Sequence, residues 1–513
     1  MIIRNGTRFA RPAAWVLAVL VAIAMANVAL AQESVSELRS AAQATDDDPR
    51  PWVALGNALL DQDDPEDAKS AYLEAIAIDY RACDGHFGLG LAEFARGDHA
   101  AALFAFNEVT RLCSERFDGH YNRAVTLSRL RRPAEAAEAF RDAIAEAEPE
   151  ASTDDRVAAW VGLANELKRV QDHGAAAEAY GAALDLRPTD DELIFLRGDA
   201  LWRAERGLEA LPDLTALEGR TRDYRVSSLI ADVYVDAGQI DRAMRSLERA
   251  LDRAEEAGDA SAQANLLVKR GLLERSLGRE GDAEASFARA TELDPDSWAA
   301  QYNLGVSLLE AGQVQAALGP LQNAEGAAPD SGEVALALAS AYDQLGRSED
   351  ALTAARRAIA TLEDGEALLD ARFVAGRGAY RLGDFGYARE QFERVVDARP
   401  DSAAAQLWTG LAAYQTGDYG AALPFYERAV QLNPNDVVAR VNLGAAYLAT
   451  ERYQDAETVY QLLVEQDGSD AESRYNLGWA LIGQERRGPT RDAWAAACDL
   501  GHGPACDALT NYF

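Results

Sequence analysis

Beyond residue 31 the sequence has no apolar run approaching the roughly 20 residues that cross a bilayer. Nucleophiles and soft ligands are scarce, with four cysteines and five histidines in 513 residues, and no cysteine pair has the C-x-x-C spacing of a zinc site. A nucleophile elbow, a Walker loop and an H-E-x-x-H helix are all missing. Gly85, Gly88 and Gly90 alternate as small residues of a helix and form no phosphate loop. Lysine is nearly absent, at positions 69, 168 and 269, and arginine supplies the other cations. These gaps argue against an enzyme and predict no cofactor and no metal.

Positive charge is also in deficit. The formal net charge is −34, from 84 acidic and 50 basic residues. Such a chain repels nucleic acid and anionic lipid, so neither is expected as a partner. The excess acid reads as the solvated surface of a large helical protein. Arg4, Arg8 and Arg11 precede the uncharged stretch Ala13 to Ala26, and Ala29, Leu30 and Ala31 give an A-x-A pattern before Gln32. Residues 1–31 are therefore expected to be a secretory signal peptide cleaved before Gln32, with membrane association only if it is retained as an anchor. Its three arginines and no acids leave −37 on the exported chain. Residues 32–48 are polar, and Val35 to Ala44 is expected as a capping helix.

What is present is a period. Ala68, Ala102, Ala136, Ala176, Ala210, Ala243, Ala283, Ala317, Ala351, Ala388, Ala422 and Ala456 hold one place, and seven of the eleven intervals are 34 residues. Twelve residues before each stands Gly or Ala, from Gly56 to Gly444, and Gly478 opens a thirteenth unit. Four residues after it comes a large apolar residue in most units, such as Tyr72, Phe106, Tyr180 or Tyr460. Spacings of three and four put these on one helix face, where small residues allow two helices to approach and the aromatic fills the gap. Glycines from Gly97 to Gly417 recur between the helices, and Pro188, Pro295, Pro329, Pro400 and Pro434 close units. Leu214, Leu247, Leu321 and Ala355 replace the aromatic, so their units are expected to pack less tightly. The longer intervals, around Glu148 to Glu150 and Glu255 to Ala262, are expected to be longer turns or extended helices. A repeat of this length means a stack of supersecondary units and leaves no stretch for a catalytic domain.

The stretches Trp52, Leu55, Gly56, Ala68, Tyr72, Ala75 and Trp160, Leu163, Ala164, Ala176, Tyr180, Ala183, Pro188 resemble the tetratricopeptide repeat. The resemblance covers residues 49–504 and implies an all-α, right-handed superhelical solenoid of about 12–13 antiparallel helix pairs, with 505–513 as a C-terminal cap. The segment Ala493, Trp494, Ala497, Cys498, Leu500, Gly501, Ala505, Cys506 is similar to a Sel1-type unit. In cysteine-rich members of that family two cysteines at this spacing bridge adjacent helices, which implies a Cys498–Cys506 disulfide. Cys83 and Cys113 begin and end one unit, and antiparallel helices bring those ends together; a bridge and two small buried thiols are the alternatives. Asp84-Gly85-His86 and Asp118-Gly119-His120 recur 34 residues apart and read as a duplicated helix start rather than a metal site.

The family resemblance also implies that first helices line a concave groove for partner segments. On that face Asn122, Asn303, Asn442 and Asn476 share the place two before the Gly/Ala. Arg129, Arg169 and Arg203 share another, beside Lys168 and Trp202, as an expected basic stripe. Further along, Phe373, Arg377, Tyr380, Arg381, Trp408, Tyr414, Tyr475 and Trp479 make an aromatic and arginine-rich segment, the residue types of interface hot spots. Asn57, Asn165 and Lys168 do not complete the arrangement of the chaperone-docking subclass. The expected function is an exported, periplasmic or secreted, non-enzymatic scaffold for protein or peptide segments. A structural spacer and a cell-wall glycan-binding protein are the alternatives.

Overall fold

The computed structural model describes residues 35–147 and 151–513, which fall into two compact units meeting at Arg253 and Ala254. The expected signal peptide lies outside the described residues, as do Glu148, Pro149 and Glu150. The chain is an all-α helical repeat solenoid, and no strand occurs among the described residues. Residues 35–43 are helical and pack Val35, Leu38 and Ala42 against Leu55, Leu59 and Tyr72. Thirteen helix pairs follow, from Arg50–Asp61 with Pro65–Ile78 to Ala471–Ile482 with Arg487–Asp499, and Gly503–Tyr512 closes the array.

The period has a direct packing cause. A Cβ on Gly56 would sit 2.5 Å from the Tyr72 ring, and one on Gly88, in the next pair, 2.1 Å from the same ring. The aromatic is thus clamped between its own first helix and the following one. Gly90 and Phe106, Gly271 and Phe287, Gly376 and Phe392, and Gly444 and Tyr460 repeat the contact sixteen residues apart. The ladder alanines are fully buried except Ala210, at 2% exposed. Burying one such ring contributes about 1.5–3 kcal/mol, so the array is held by many equal local terms. Leu214, Leu247, Leu321 and Ala355 are no more than 2% exposed, so loss of the ring leaves no open site there.

Many helix starts and stops are encoded locally. Asp64, Asp98, Asp172, Asp384 and Asp418 precede second helices and accept from the backbone N–H three residues on. Ser152, Asp190, Asp259, Ser297 and Asp436 do the same for first helices. Such caps are worth about 1 kcal/mol each, and they account for part of the acid excess. The turn between paired helices needs one left-handed residue, glycine at Gly97 (φ 81°) and Gly383 (φ 83°). Asp63, Arg131, Gln171, Glu205, Glu451 and Glu485 take that place in other pairs, at φ 57–64°. Insertions lengthen helices: Thr153–Arg169, Ile240–Glu256 and Ala260–Ser276 have 17 residues against the usual 13 or 14. Pro188, Pro295, Pro329, Pro400 and Pro434 lie in turns between pairs, whereas Pro212, Pro320 and Pro424 sit inside second helices.

Candidate functional site

In the first unit a cleft of about 640 Å³ is lined by the helices Phe117–Arg129 and Thr153–Arg169. The frame places its side chains. Tyr121 and Val161 both stand three residues before the Gly/Ala position, and Arg129 and Arg169 both stand five after it. Tyr121, Val125, Phe140 and Val161 give apolar walls, and Arg131 and Arg187 join the other two arginines at the cleft. A Cβ on Gly162 would be 2.5 Å from Phe140, so the longer helix lies directly on that ring. Glu166 is buried; it accepts from Ser128 Oγ at 2.6 Å and pairs with Arg169 at 3.2 Å. Asp154 pairs with Arg187.

The basic stripe is corrected by its acids. Lys168 and Arg203 share Asp199, at 2.8 and 3.0 Å, and Arg169 is on Glu166. Trp202 donates its indole N–H to Asp236 at 2.6 Å, with the Arg203 guanidinium 5.5 Å from the ring centroid. Cations in register therefore meet carboxylates of the same or the next unit.

In the second unit Arg377 and Arg381 converge on Asp343, at 3.1 and 2.5 Å. Asp343 is 4% exposed, so both arginines neutralise a buried charge. Phe373, Tyr380 and Trp408 join the core around Phe392: Phe373 and Trp408 lie 5.5 and 5.8 Å from Phe392, and Tyr380 lies 5.3 Å from Trp408. Tyr414 lies 4.7 Å from Tyr419 with the rings tilted, and burial raises its phenol pKa above the ordinary tyrosine range. Tyr475 and Trp479 pack against the fully buried Trp494, and Tyr475 also faces His502 at 4.7 Å. These residues tie helices together, so the structure does not gather them into one open face.

The asparagines divide similarly. Asn122 is fully buried and donates to the Asp118 carbonyl at 2.9 Å, and Asn303 is buried and donates to Ala299 at 2.8 Å. Both are removed from a partner's reach, because their place faces the preceding pair's aromatic. Asn442, partly buried, bonds Val438 in the same way, and Asn476 is also partly buried.

The duplicated Asp-Gly-His helix start is one form of a wider recurring device. His86 and His120 present Nε2 to the carbonyls of Tyr80 and Ser114, six residues back, at 2.8 and 2.7 Å. Gln301 and Gln406, at the same frame place, donate to Pro295 and Pro400 at 3.0 and 2.9 Å. All four are buried. The shared job requires Nε2 of each histidine to donate to the carbonyl, and it ties the inter-pair turn to the next helix. The repeated His motif is thus a helix-start bond, and no three or more His, Cys, Asp or Glu residues form a metal-holding group among the described residues.

Cys83 and Cys113 are bonded, with Cα atoms 6.5 Å apart, and Cys498 and Cys506 are bonded with Cα atoms 4.9 Å apart. The thirteenth unit also completes the frame. Thr490 takes the alanine place and Trp494 the aromatic place, and a Cβ on Gly478 would be 2.0 Å from the Trp494 ring. Gly478 marks this unit in the sequence, and Thr490 and Trp494 carry it past the end of the alanine ladder. Among the described residues no helix is long and apolar enough to cross a membrane.

A tetratricopeptide repeat profile matches residues 53–116, 161–223, 268–332 and 373–437, half of the chain. Two further tetratricopeptide repeat profiles match residues 413–478 and 224–256. Comparison with curated proteins gives no match. Among solved structures, YrrB, described as a TPR protein with an unusual peptide-binding site, is 23% identical, with a TM-score of 0.34. The match covers 37% of this chain and 95% of that one. The APC/C hetero-tetramer Cut9–Hcn1 is 15% identical over 90% of this chain and 96% of that one, at a TM-score of 0.35. Naa15/Naa10 bound to HypK-THB is 15% identical over 90% and 77%, at 0.39.

Proposed function

The chain belongs to the tetratricopeptide repeat family, and on that premise we propose that it is an exported, non-enzymatic scaffold holding segments of other proteins in the cell envelope. Tetratricopeptide arrays are protein–protein interaction scaffolds. The observation that carries the reading is the cleft between Phe117–Arg129 and Thr153–Arg169, where apolar walls and arginines meet. Aromatic and arginine side chains in a concave site are the usual anchors of a bound segment.

Export is supported by the leader-like residues 1–31 and by the cysteines. All four are paired, which suits an oxidising compartment. N-terminal sequencing of the chain recovered from its native cell tests this, and a start at Gln32 is expected. A start at Met1 together with free thiols in the cytosol would contradict export. The scaffold itself is tested by affinity capture with Val161→Glu, a change on the cleft wall that spares the buried ion pairs. Loss of specific partners is expected, and unchanged recovery would remove the cleft from the account.

A further inference from the structure

We propose that this cleft takes an acidic peptide segment of a partner protein, with apolar side chains against Val161 and carboxylates at Arg131. The inference rests on the scaffold reading above and names the chemistry of its partner.

The cleft inverts the charge of the molecule. Arg129, Arg131, Arg169 and Arg187 stand against Asp154 and Glu166, whereas the chain carries 84 acidic and 50 basic residues. Glu166, buried beneath Ser128, holds Arg169, and Asp154 holds Arg187, so these pairs are closed among themselves. Arg131 has no ion-pair partner among the described residues. It occupies the left-handed turn position, φ 57°, where the other non-glycine residues are Asp, Gln and Glu. Arg131 thus brings an exposed guanidinium to the cleft from a turn place that holds Asp, Gln or Glu in other pairs.

A guanidinium presents a fork that accommodates both oxygens of a carboxylate. Screening over about 8 Å at physiological salt weakens repulsion from the distant acidic surface, so the local arginines decide what binds. Val161 stands partly exposed beside Arg131 and Arg169, above the buried Tyr121, Val125 and Phe140, and a segment with both acidic and apolar side chains matches this lining. A pure polyanion would leave the apolar walls unused.

The test is fluorescence anisotropy with the purified chain and a dye-labelled, end-blocked octapeptide of alternating Leu and Glu. Control peptides replace Glu by Gln or Lys. The Leu–Glu peptide is expected to bind at least tenfold tighter than either control. Arg131→Gly, which suits the turn's backbone, is expected to weaken it severalfold, and Arg131→Glu at least tenfold, with unchanged circular dichroism. Equal binding of the Leu–Lys peptide, no effect of Arg131→Gly, or tighter binding of a sulfated oligosaccharide would each overturn the proposal. If the probe fails while affinity capture still returns Val161-dependent partners, the acidic assignment falls and the scaffold stands. If both fail, both fall.

Discussion

Tyr180 donates its phenol proton to Oδ1 of Asn165 at 2.6 Å, which ties the second helix of its pair to the first. Tyr72 and Asn57 repeat the bond at 2.7 Å. Tyr426 occupies the same place, but Leu411 stands where the asparagine would be and its buried hydroxyl has no partner. The two tyrosines should respond oppositely to loss of the hydroxyl. Tyr180→Phe is expected to cost about 1 kcal/mol. Tyr426→Phe is expected to be neutral or to stabilise by up to about 1 kcal/mol, because an unsatisfied polar group leaves the core. Urea melts of both variants check this; a larger loss for Tyr426→Phe would contradict the account.

Gly88→Ala and Gly181→Ala form a second contrast. A methyl at 88 meets the Tyr72 ring at 2.1 Å, while one at 181 meets only Arg197 Nε at 3.5 Å. The first is expected to destabilise by about 1–3 kcal/mol through overpacking. The second is expected to stabilise by about 0.5–1 kcal/mol, because alanine favours a helix interior. Thermal melts with the opposite signs would show that the glycines are not placed for the rings.

His120 and Gln301 do one job with different side chains. His120→Gln should therefore keep most of the stability, and His120→Leu should lose about 1 kcal/mol as the bond to the Ser114 carbonyl goes. Hydrogen exchange at the turn 113–116 gives the local readout. Equal losses for both variants would mean that the ring's shape matters and not its donor.

The two disulfides close loops of different size, with cysteines 30 and 8 residues apart. Chain entropy predicts about 3–4 kcal/mol for Cys83–Cys113 and about 2–3 kcal/mol for Cys498–Cys506. Alanine pairs at each bridge, compared in urea, should show the larger loss at the first.

The scaffold was legible in the sequence because its packing uses few residue types. Only a small residue fits against a ring at about 2.5 Å, so Gly56, Gly90 and Gly376 and their partners sixteen residues on announce themselves. Thr490 and Trp494 do the same work with other side chains, so Gly478 and the Sel1-like segment mark that unit where the alanine ladder does not. Charge was legible in one sign only. The arginines fall into register at 129, 169 and 203, but carboxylates occur at nearly every frame place. Nothing in spacing alone tells that Asp199 and Asp343 are the ones that take the cations. The asparagines failed for a related reason. Position on a first helix does not separate the side facing a groove from the side facing the preceding aromatic, and Asn122 falls on the latter. Likewise His and Gln share a donor but no shape, so the His86, His120, Gln301 and Gln406 device appears only once the carbonyls are in place.

The central claim is that the array holds partner segments through its first-helix cleft. Photo-crosslinking in the native cell tests it most directly, with the crosslinker placed at 161 on the cleft wall or at the outward Phe104, which is 69% exposed. The account predicts discrete, reproducible protein adducts from 161 that are absent from 104. No adduct from 161, or the same adducts from both positions, would contradict it.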